Sequence, residues 1–243
     1  MCGISGFLSF QATLSSEQKE ALNLSLSCIE KRGPDNKGLF YTDNVGLGHT
    51  RLSIIDVSAK ANQPFTDKSG RYTIILNGEI YNYKNLKTQY LKDVSLASDS
   101  DSEVLLYLYI KLGKKILDII NGFFAFAIYD SQEKRIFIAR DRIGIKPLLY
   151  VQQDDFFCFA SDLGSLLAFP IDKEIDKTAL SLYLQLNYIP APYSIIQSVK
   201  KLMPGEFIEI DVAKKQVDFK RYYEIKQKQV FQDSYQKAKE SLY

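Results

Sequence analysis

The chain has 243 residues, of which 46% are hydrophobic and 25% are charged, and its formal net charge is +2. This composition is ordinary for a globular protein, and the interspersed charges argue against nucleic acid or a membrane surface as a partner. The sequence lacks an apolar run long enough to span a bilayer, and its N-terminus lacks the basic and apolar regions of a signal peptide. We therefore predict a cytoplasmic protein.

The predicted elements alternate between apolar strands and a few helices. A strand at residues 3–9 would hold the N-terminus in a sheet, and Ser15 with Gln18 fits a capping box that starts a helix. Leu22, Leu26 and Ile29 continue that helix as an apolar stripe, which ends before Gly33-Pro34. Further strands are predicted at residues 39–42, 45–55, 72–76, 123–129, 135–139, 148–151 and 156–161, and further helices at 100–112 and 176–186.

Hairpin-linked strands between a few helices predict an α+β fold with mainly antiparallel sheets. After Tyr223 the chain becomes polar and rich in lysine and glutamine, which predicts a linker and the first turns of an exposed helix. We expect one domain over residues 1–223, and residues 224–243 to lead into a further domain that this chain lacks.

Cysteine and histidine are too few for a disulfide framework or a zinc site. Cys2, Cys28 and Cys158 are odd in number and widely spaced, and His49 is the only histidine. We therefore predict no metal site. Cys28, on an apolar helical face, and Cys158, in a Phe-rich strand, are predicted to be small core residues.

The N-terminal Met-Cys-Gly-Ile segment has catalytic potential. Methionine is normally removed when the next side chain is as small as that of Cys2. The mature chain would then begin with a thiol beside a free α-amine, which titrates at about 7.7–8.0 and is suited to act as a general base. Nucleophile and base could therefore belong to one residue. By position alone, most cysteines at residue 2 have no such role.

Asn77-Gly78 has two interpretations. Asn-Gly between alternating hydrophobic residues is a strong hairpin signal, so a plain turn is the simpler prediction. The alternative is an oxyanion hole, because an asparagine amide and an adjacent glycine N–H can converge on a developing negative charge.

Arg51 and Asp101 each have a structural and a functional interpretation. Arg51 is either a solvated strand charge or a bidentate clamp for an α-carboxylate. Asp101 lies in a Ser-Asp-Ser-Glu sequence that fits a capping box, yet its carboxylate could also bind a substrate ammonium. Together with Cys2 and Asn77-Gly78, these groups would suit cleavage of the side-chain amide of an amino acid.

Nine motifs in order give the chain a family resemblance over nearly its whole length. They are Cys-Gly-Ile (2–4), Arg-Gly-Pro-Asp (32–35), Gly-His-Thr-Arg-Leu-Ser-Ile-Ile-Asp (48–56), Gln-Pro (63–64), Leu-Asn-Gly-Glu-Ile-Tyr-Asn (76–82), Ser-Asp-Ser-Glu (100–103), Gly-Phe-Phe-Ala-Phe-Ala (122–127), the run 140–147 and Lys-Leu-Met-Pro-Gly (201–205). The chain closely resembles the N-terminal glutaminase domain of glutamine-hydrolysing asparagine synthetases. These are class II amidotransferases of the N-terminal-nucleophile (Ntn) hydrolase superfamily.

The resemblance implies a four-layer αββα sandwich and a role for each matching residue. The implied nucleophile is Cys2, and the implied oxyanion donors are Asn77 and Gly78. The implied glutamine-binding residues are Arg51, Leu52, Ile54, Ile55, Glu79 and Asp101. The resemblance implies no cofactor in this domain, because ATP and magnesium would bind only to a C-terminal ATP-pyrophosphatase synthetase domain. The implied partners are L-glutamine and that synthetase domain.

Two alternatives remain open at this stage. The ammonia acceptor could be a sugar or another acid in place of aspartate. A retained Met1 would block the amine and leave a non-catalytic glutamine-binding domain. A homodimer is also left open.

Overall fold

The structure, a computed structural model, describes residues 2–11, 13–225 and 234–240. Its strands are β1 (Gly3–Ser9), β2 (Asn36–Tyr41), β3 (Val45–Arg51), β4 (Phe65–Thr66), β5 (Tyr72–Ile80), β6 (Gly122–Asp130), β7 (Arg135–Arg140), β8 (Leu149–Gln152), β9 (Phe156–Ala160), β10 (Lys200–Lys201), β11 (Glu206–Asp211) and β12 (Gln216–Arg221). Its α-helices are α1 (Ser16–Cys28), α2 (Tyr83–Tyr90), α3 (Asp101–Leu112), α4 (Ile116–Ile119), α5 (Leu163–Leu166), α6 (Lys177–Leu186) and α7 (Tyr235–Glu240).

The strands form two six-stranded sheets, and every paired neighbour is antiparallel. The first sheet has the order β10-β8-β9-β1-β3-β2, and the second has the order β12-β11-β7-β6-β5-β4. Strand β1 is central in the first sheet, with β3 and β9 on either side. The start of the chain is therefore fixed in position by two hydrogen-bonded neighbours.

Three apolar layers hold the sheets and helices together. The central layer lies between the two sheets and includes Ile4, Ile75 and Phe159. One outer layer packs α1 and α5 on the first sheet, and the other packs α2, α3 and α4 on the second. Burial of apolar surface on both faces of each sheet stabilises this four-layer αββα arrangement.

Several predicted elements are confirmed. Strand β1 has the predicted bounds, and the capping box of Ser15 and Gln18 begins α1. The stripe of Leu22, Leu26 and Ile29 is buried. Helices α3 and α6 lie where the sequence predicts them.

Other predictions are wrong in instructive ways. Asn77-Gly78 is not a turn, because β5 continues through it and pairs with β6 up to Ile80. The strand predicted at residues 45–55 ends at Arg51, and residues 52–55 form a loop. Cys28 is exposed, because it lies on the solvent side of α1. Cys158 is buried as predicted.

Some elements carry too weak a pattern to be found in the sequence. Helix α2 and the hairpin of β11 and β12 were not predicted. The helical part of the predicted tail is present as the exposed α7, whereas residues 226–233 and 241–243 lie outside the described residues. Within the described ranges, the structure contains no helix that is long and apolar enough to cross a bilayer.

Candidate active site

A pocket opens where the two sheets meet the N-terminus of α3. All nine residues that the sequence places in a site line this pocket: Cys2, Arg51, Leu52, Ile54, Ile55, Asn77, Gly78, Glu79 and Asp101. They come from the start of β1, the end of β3 and its following loop, the last part of β5, and the first turn of α3. Six further residues complete the lining: Ala61, Gln63, Leu76, Ser100, Ser102 and Lys146.

Cys2 lies immediately before β1 and is held on two sides. The Leu52 N–H lies 3.4 Å from the Cys2 sulfur, and the Arg32 Nε donates to the Cys2 carbonyl oxygen at 3.2 Å. Burial raises the pKa of the Cys2 thiol above its ordinary value, against the lowering effects of the Leu52 backbone and the positive charge of Arg51. The thiol is therefore protonated at neutral pH in this state, and forming the nucleophilic thiolate requires a base.

His49 does not provide that base. Its side chain lies in the interior, where Nε2 is 3.1 Å from the carbonyl oxygen of Leu76, and it is not among the pocket residues. Burial lowers the pKa of His49 to about 4, so the imidazole is neutral at physiological pH. Cys2 and His49 therefore do not form a Cys–His catalytic couple.

The free edge of β5 presents backbone N–H groups to the pocket. The Leu76 N–H donates to Gln63 Oε1 at 2.6 Å, and the Ile80 N–H donates to Asp101 Oδ2 at 2.9 Å. Backbone groups alternate along a strand with a period of two residues. The N–H of Gly78, midway between these two, therefore points to the same side, into the pocket.

Glycine is required at residue 78 by the close approach of β6. A Cβ atom there would lie 2.3 Å from the Phe123 carbonyl oxygen and 2.7 Å from the Phe124 Cα, which is closer than real Cβ contacts. The reason for glycine is thus strand packing, not the positive φ of a hairpin turn.

Asn77 is fully buried and pairs with Ala125 across the β5–β6 ladder. Its amide nitrogen Nδ2 lies 3.3 Å from Ser161 Oγ. Its amide oxygen Oδ1 is buried and makes no hydrogen bond within the described ranges. One end of this amide is therefore anchored and the other is available.

Arg51 organises the loop that follows β3. Its terminal nitrogens donate to the carbonyl oxygens of Ser58 (2.9 Å), Ile55 (3.5 Å) and Asp56, and to Asn62 Oδ1 at 2.7 Å. Arg51 is buried, so these bonds hold a fixed positive charge at the pocket wall. The interpretation of Arg51 as a solvated strand charge is wrong.

Asp101 places a negative charge in the pocket, opposite in sign to that of Arg51. It is the first residue of α3, and Ser100 is the N-cap whose side chain accepts from the Glu103 N–H at 3.2 Å. Only half of the predicted capping box is formed, because Glu103 accepts instead from the N–H groups of Ala97 and Ser98. Burial, with a contribution from Glu79, raises the pKa of Asp101 to about 6. The carboxylate is thus ionised at neutral pH but protonates readily.

The comparison with known families decides the classification. A family model described as a glutamine amidotransferase domain matches residues 1–223. The chain belongs to this glutamine amidotransferase family. The family predicted from the nine motifs is confirmed.

Curated relatives of this amidotransferase domain are mostly longer enzymes. A putative glutamine-hydrolysing asparagine synthetase of Methanocaldococcus jannaschii is 37% identical, over 93% of this chain and 47% of the relative. Asparagine synthetase 1 of Bacillus subtilis is 39% identical, over 84% of this chain and 33% of the relative. The amidase chry2 of Gibberella zeae is 39% identical, over 86% and 32%. The chain thus spans about half or less of the length of these relatives.

Solved amidotransferases share the fold. A glutamine phosphoribosylpyrophosphate amidotransferase of B. subtilis superposes with a TM-score of 0.66 at 18% identity, over 93% of this chain and 50% of that one. A second structure, described as the allosteric regulatory enzyme of purine biosynthesis, gives a TM-score of 0.68 at 18% identity, again over 93% and 50%. These likenesses confirm the predicted fold class.

Among the residues of this amidotransferase domain's site that were not predicted, Lys146 and Ser161 have side-chain positions of particular interest. Lys146 belongs to the motif run 140–147 and lines the pocket with its Nζ 4.4 Å from the centre of the Phe123 ring. The buried Asp141 carboxylate places it there by accepting from four backbone N–H groups of residues 143–146. Ser161, the second, is far from Asn77 in sequence, so no local pattern indicates their contact.

Proposed function

We propose that this chain hydrolyses L-glutamine to glutamate and ammonia through a thioester on Cys2. The observation that supports this most strongly is the meeting, in one pocket, of the Cys2 thiol with the Asn77 amide and the Gly78 N–H edge. This pairing matches the needs of amide cleavage, in which a sulfur nucleophile attacks a carbonyl carbon and the oxygen becomes negative.

The pocket offers glutamine two charges for orientation. Arg51 would bind the α-carboxylate, because a guanidinium and a carboxylate form charge-assisted hydrogen bonds stronger than those to neutral carbonyls. The substrate would take over part of the contacts that Arg51 makes to its own loop. Asp101 and Glu79 would face the ammonium group, and the loop residues Leu52, Ile54 and Ile55 would surround the substrate.

The first half-reaction begins with the α-amine exposed by removal of Met1. This amine takes the thiol proton of Cys2, and the sulfur attacks the glutamine side-chain carbonyl. The oxygen becomes an oxyanion that the Asn77 amide and the Gly78 N–H stabilise. When the carbonyl reforms, the carbon–nitrogen bond breaks, the amine returns its proton to the leaving nitrogen, and ammonia departs from a γ-glutamyl thioester.

The second half-reaction releases glutamate. A water gives a proton to the same amine and attacks the thioester carbonyl, and a second oxyanion forms at the same donors. The carbon–sulfur bond then breaks, and the proton returns to the sulfur. Because its surroundings raise the pKa of the half-buried Cys2 thiol, this scheme needs the amine to form the thiolate.

The experiment that tests this proposal varies the residue before Cys2. Glutamate release is measured on material whose N-terminus is shown by intact mass to begin at Cys2, and on a variant with one extra, non-removable residue in front. We expect turnover only from the first preparation, while calorimetry shows glutamine binding to both. Equal turnover by the two preparations would exclude the α-amine as the base.

The relatives support a proposal for the ammonia acceptor. Because asparagine synthetases share 36–39% identity with this chain over most of its length, we propose that the ammonia supports ATP-dependent asparagine formation from aspartate in a synthetase domain. The full-length protein should form asparagine from glutamine, aspartate, ATP and magnesium. Glutamate release without asparagine under these conditions would point to another acceptor, as the relationship to an amidase at 39% identity also allows.

A further inference from the structure

Ser161 connects the two sheets at the reaction centre. It directly follows β9 in the first sheet, is buried, and exchanges two hydrogen bonds with Ile4, two residues after Cys2. The Ile4 N–H donates to Ser161 Oγ at 3.0 Å, and the Ser161 N–H donates to the Ile4 carbonyl at 3.0 Å. The same Oγ lies 3.3 Å from the amide nitrogen of Asn77 in the second sheet.

Ser161 and Asn77 each leave one hydrogen-bonding group unused in this contact. A serine hydroxyl has one proton and two lone pairs. Here Ser161 Oγ accepts from both the Ile4 N–H and Asn77 Nδ2, so its own proton serves neither contact. Meanwhile the buried Asn77 Oδ1 is without a hydrogen-bond partner among the described residues. In the Asn77 amide, the oxygen Oδ1 therefore lacks a donor, while the nitrogen Nδ2 is bound to the Ser161 hydroxyl.

A rotation of the Asn77 side-chain amide by half a turn gives the Ser161 hydroxyl proton an acceptor and gives Asn77 Oδ1 a donor. The two ends of an asparagine amide have nearly the same shape, and their placement is set by hydrogen bonds, not by packing. After the turn, the Ser161 hydroxyl donates to Asn77 Oδ1 while still accepting from the Ile4 N–H. Asn77 Nδ2 then occupies the other end of the amide as a free donor.

We propose that Ser161 is a positioning residue that holds the Asn77 amide with its Nδ2 donor directed to the oxyanion. This inference rests on the proposed function, because it assigns Ser161 a role only if Asn77 stabilises that oxyanion. An amide with its oxygen at that end would repel the negative charge, so catalysis depends on which end the hydroxyl selects. Ser161 acts through Asn77 and does not touch the substrate.

An isosteric pair of variants separates the hydroxyl from the space it fills. Ser161→Thr keeps the hydroxyl, whereas Ser161→Val has the same shape without it, so both place the same extra bulk in the buried site. We expect Ser161→Val to have a kcat at least about tenfold lower than Ser161→Thr, up to the hundred- to thousandfold loss typical of a missing oxyanion donor, with KM changed by less than about threefold. Equal kcat values in the two variants would overturn the proposal.

A double-mutant cycle tests whether the effect passes through Asn77. Ser161→Ala should lower kcat in the wild-type background and change it by less than about twofold in an Asn77→Ala background, because the amide to be oriented is gone. A loss of the same factor in both backgrounds would show that Ser161 acts instead through Ile4 and the strand of Cys2, and would overturn the inference.

A matched control and separate measurements on Asn77 and Cys2 distinguish a failure of the role of Ser161 from a failure of the proposed function. Ser5→Ala removes another buried hydroxyl from β1, one that bonds to Ser25, and should leave kcat nearly unchanged. If Asn77→Ala itself retains full kcat, or if Cys2→Ala still hydrolyses glutamine, the proposed function fails first. If Cys2→Ala is inactive and Asn77→Ala loses kcat as expected, while Ser161→Thr and Ser161→Val have equal kcat, only the role of Ser161 fails.

Discussion

The two walls of the pocket are built differently. The wall with Cys2, Asn77 and Gly78 consists of strands in continuous antiparallel ladders, with β1 between two neighbours and β5 paired with β6 over its whole length. The second wall is the loop after β3, which includes Ile54, 61% exposed, and is tied to the fold through contacts to Arg51. The groups assigned to chemistry thus lie within paired strands or directly before one, whereas three of the groups assigned to substrate binding, Leu52, Ile54 and Ile55, lie on a loop.

This contrast predicts separate kinetic signatures. Changes in the strand wall should lower kcat, because a misplaced nucleophile or oxyanion donor loses interactions made in the transition state. Changes in the loop wall should raise KM, because they weaken contacts that the substrate makes in the ground state as well.

The largest effect is expected for the nucleophile. Cys2→Ala should abolish glutamate release while leaving glutamine binding measurable by calorimetry, because the Arg51 and Asp101 side chains are unchanged. Cys28→Ala is the matched control, since it removes an exposed thiol that does not line the pocket and should retain full activity. Residual turnover in Cys2→Ala above that of a buffer blank would contradict the thioester mechanism.

The next effect is expected for the oxyanion donor. Asn77→Ala should lower kcat by about two to three orders of magnitude with little change in KM, as for the loss of one oxyanion donor elsewhere. Steady-state glutamate release over a range of glutamine concentrations measures both constants. If KM rises instead while kcat is kept, Asn77 belongs to the binding wall and the contrast between the walls is lost.

A pH-dependent effect is expected for Asp101. Burial raises the pKa of Asp101 to about 6, so its charge is lost as the pH falls through that value. The KM for glutamine should then rise by up to about tenfold per pH unit below pH 6, because the substrate ammonium loses its partner. In Asp101→Asn, KM should be high and should lack this rise. A wild-type KM that stays constant from pH 7.5 to 5 would contradict the assignment.

The raised pKa of Asp101 also leads to a prediction about the pH dependence of stability. The pKa of Asp101 in the folded state is above the ordinary value of 3.8, so the folded protein binds a proton more tightly than the unfolded chain does. The contribution of Asp101 to the free energy of unfolding is therefore greatest below pH 3.8 and falls as the pH rises through about 6. Asp101→Asn should raise the Tm at pH 7.5 relative to wild type more than it does at pH 4. An equal shift at both pH values would show that ionisation is not the cause.

The smallest effect is expected for the loop. Ile54→Ala should raise KM by a few fold and leave kcat and Tm nearly unchanged, because the side chain is mostly exposed before substrate binds. Ile143→Ala is a suitable control, since that isoleucine is also exposed but does not line the pocket. A kcat loss comparable to that of Asn77→Ala would mean that the loop helps to position the reacting atoms.

The sequence predicts most of the fold because alternation and capping are local signals. It fails where tertiary pairing is stronger than a local preference. Asn77-Gly78 has the pattern of a hairpin turn, yet the ladder to β6 keeps both residues extended, and the glycine serves the close contact to Phe123. The mainly apolar residues 52–55 look like the end of a strand, yet the hydrogen bonds of Arg51 to Ile55 and Asp56 require a loop.

The site residues likewise fall into those that local motifs predict and those that depend on tertiary contacts. The named residues follow from motifs in which each member has a distinctive chemistry, such as a thiol, a guanidinium or a carboxylate. Lys146 and Ser161 could not be predicted, because their places depend on contacts between segments distant in sequence. Ser161 meets Asn77 across 84 residues and Ile4 across 157, and nothing within its own segment indicates either contact.

The unequal surroundings of the three thiols determine how the protein will respond to electrophiles. Cys28 is open to solvent, Cys158 is sealed in the core, and Cys2 is kept as the less reactive neutral form by its surroundings. Alkylating dyes and peroxide need an accessible sulfur, so Cys28 is open to modification alongside the nucleophile. Chemical labelling of the reactive cysteine therefore requires a Cys28→Ser background.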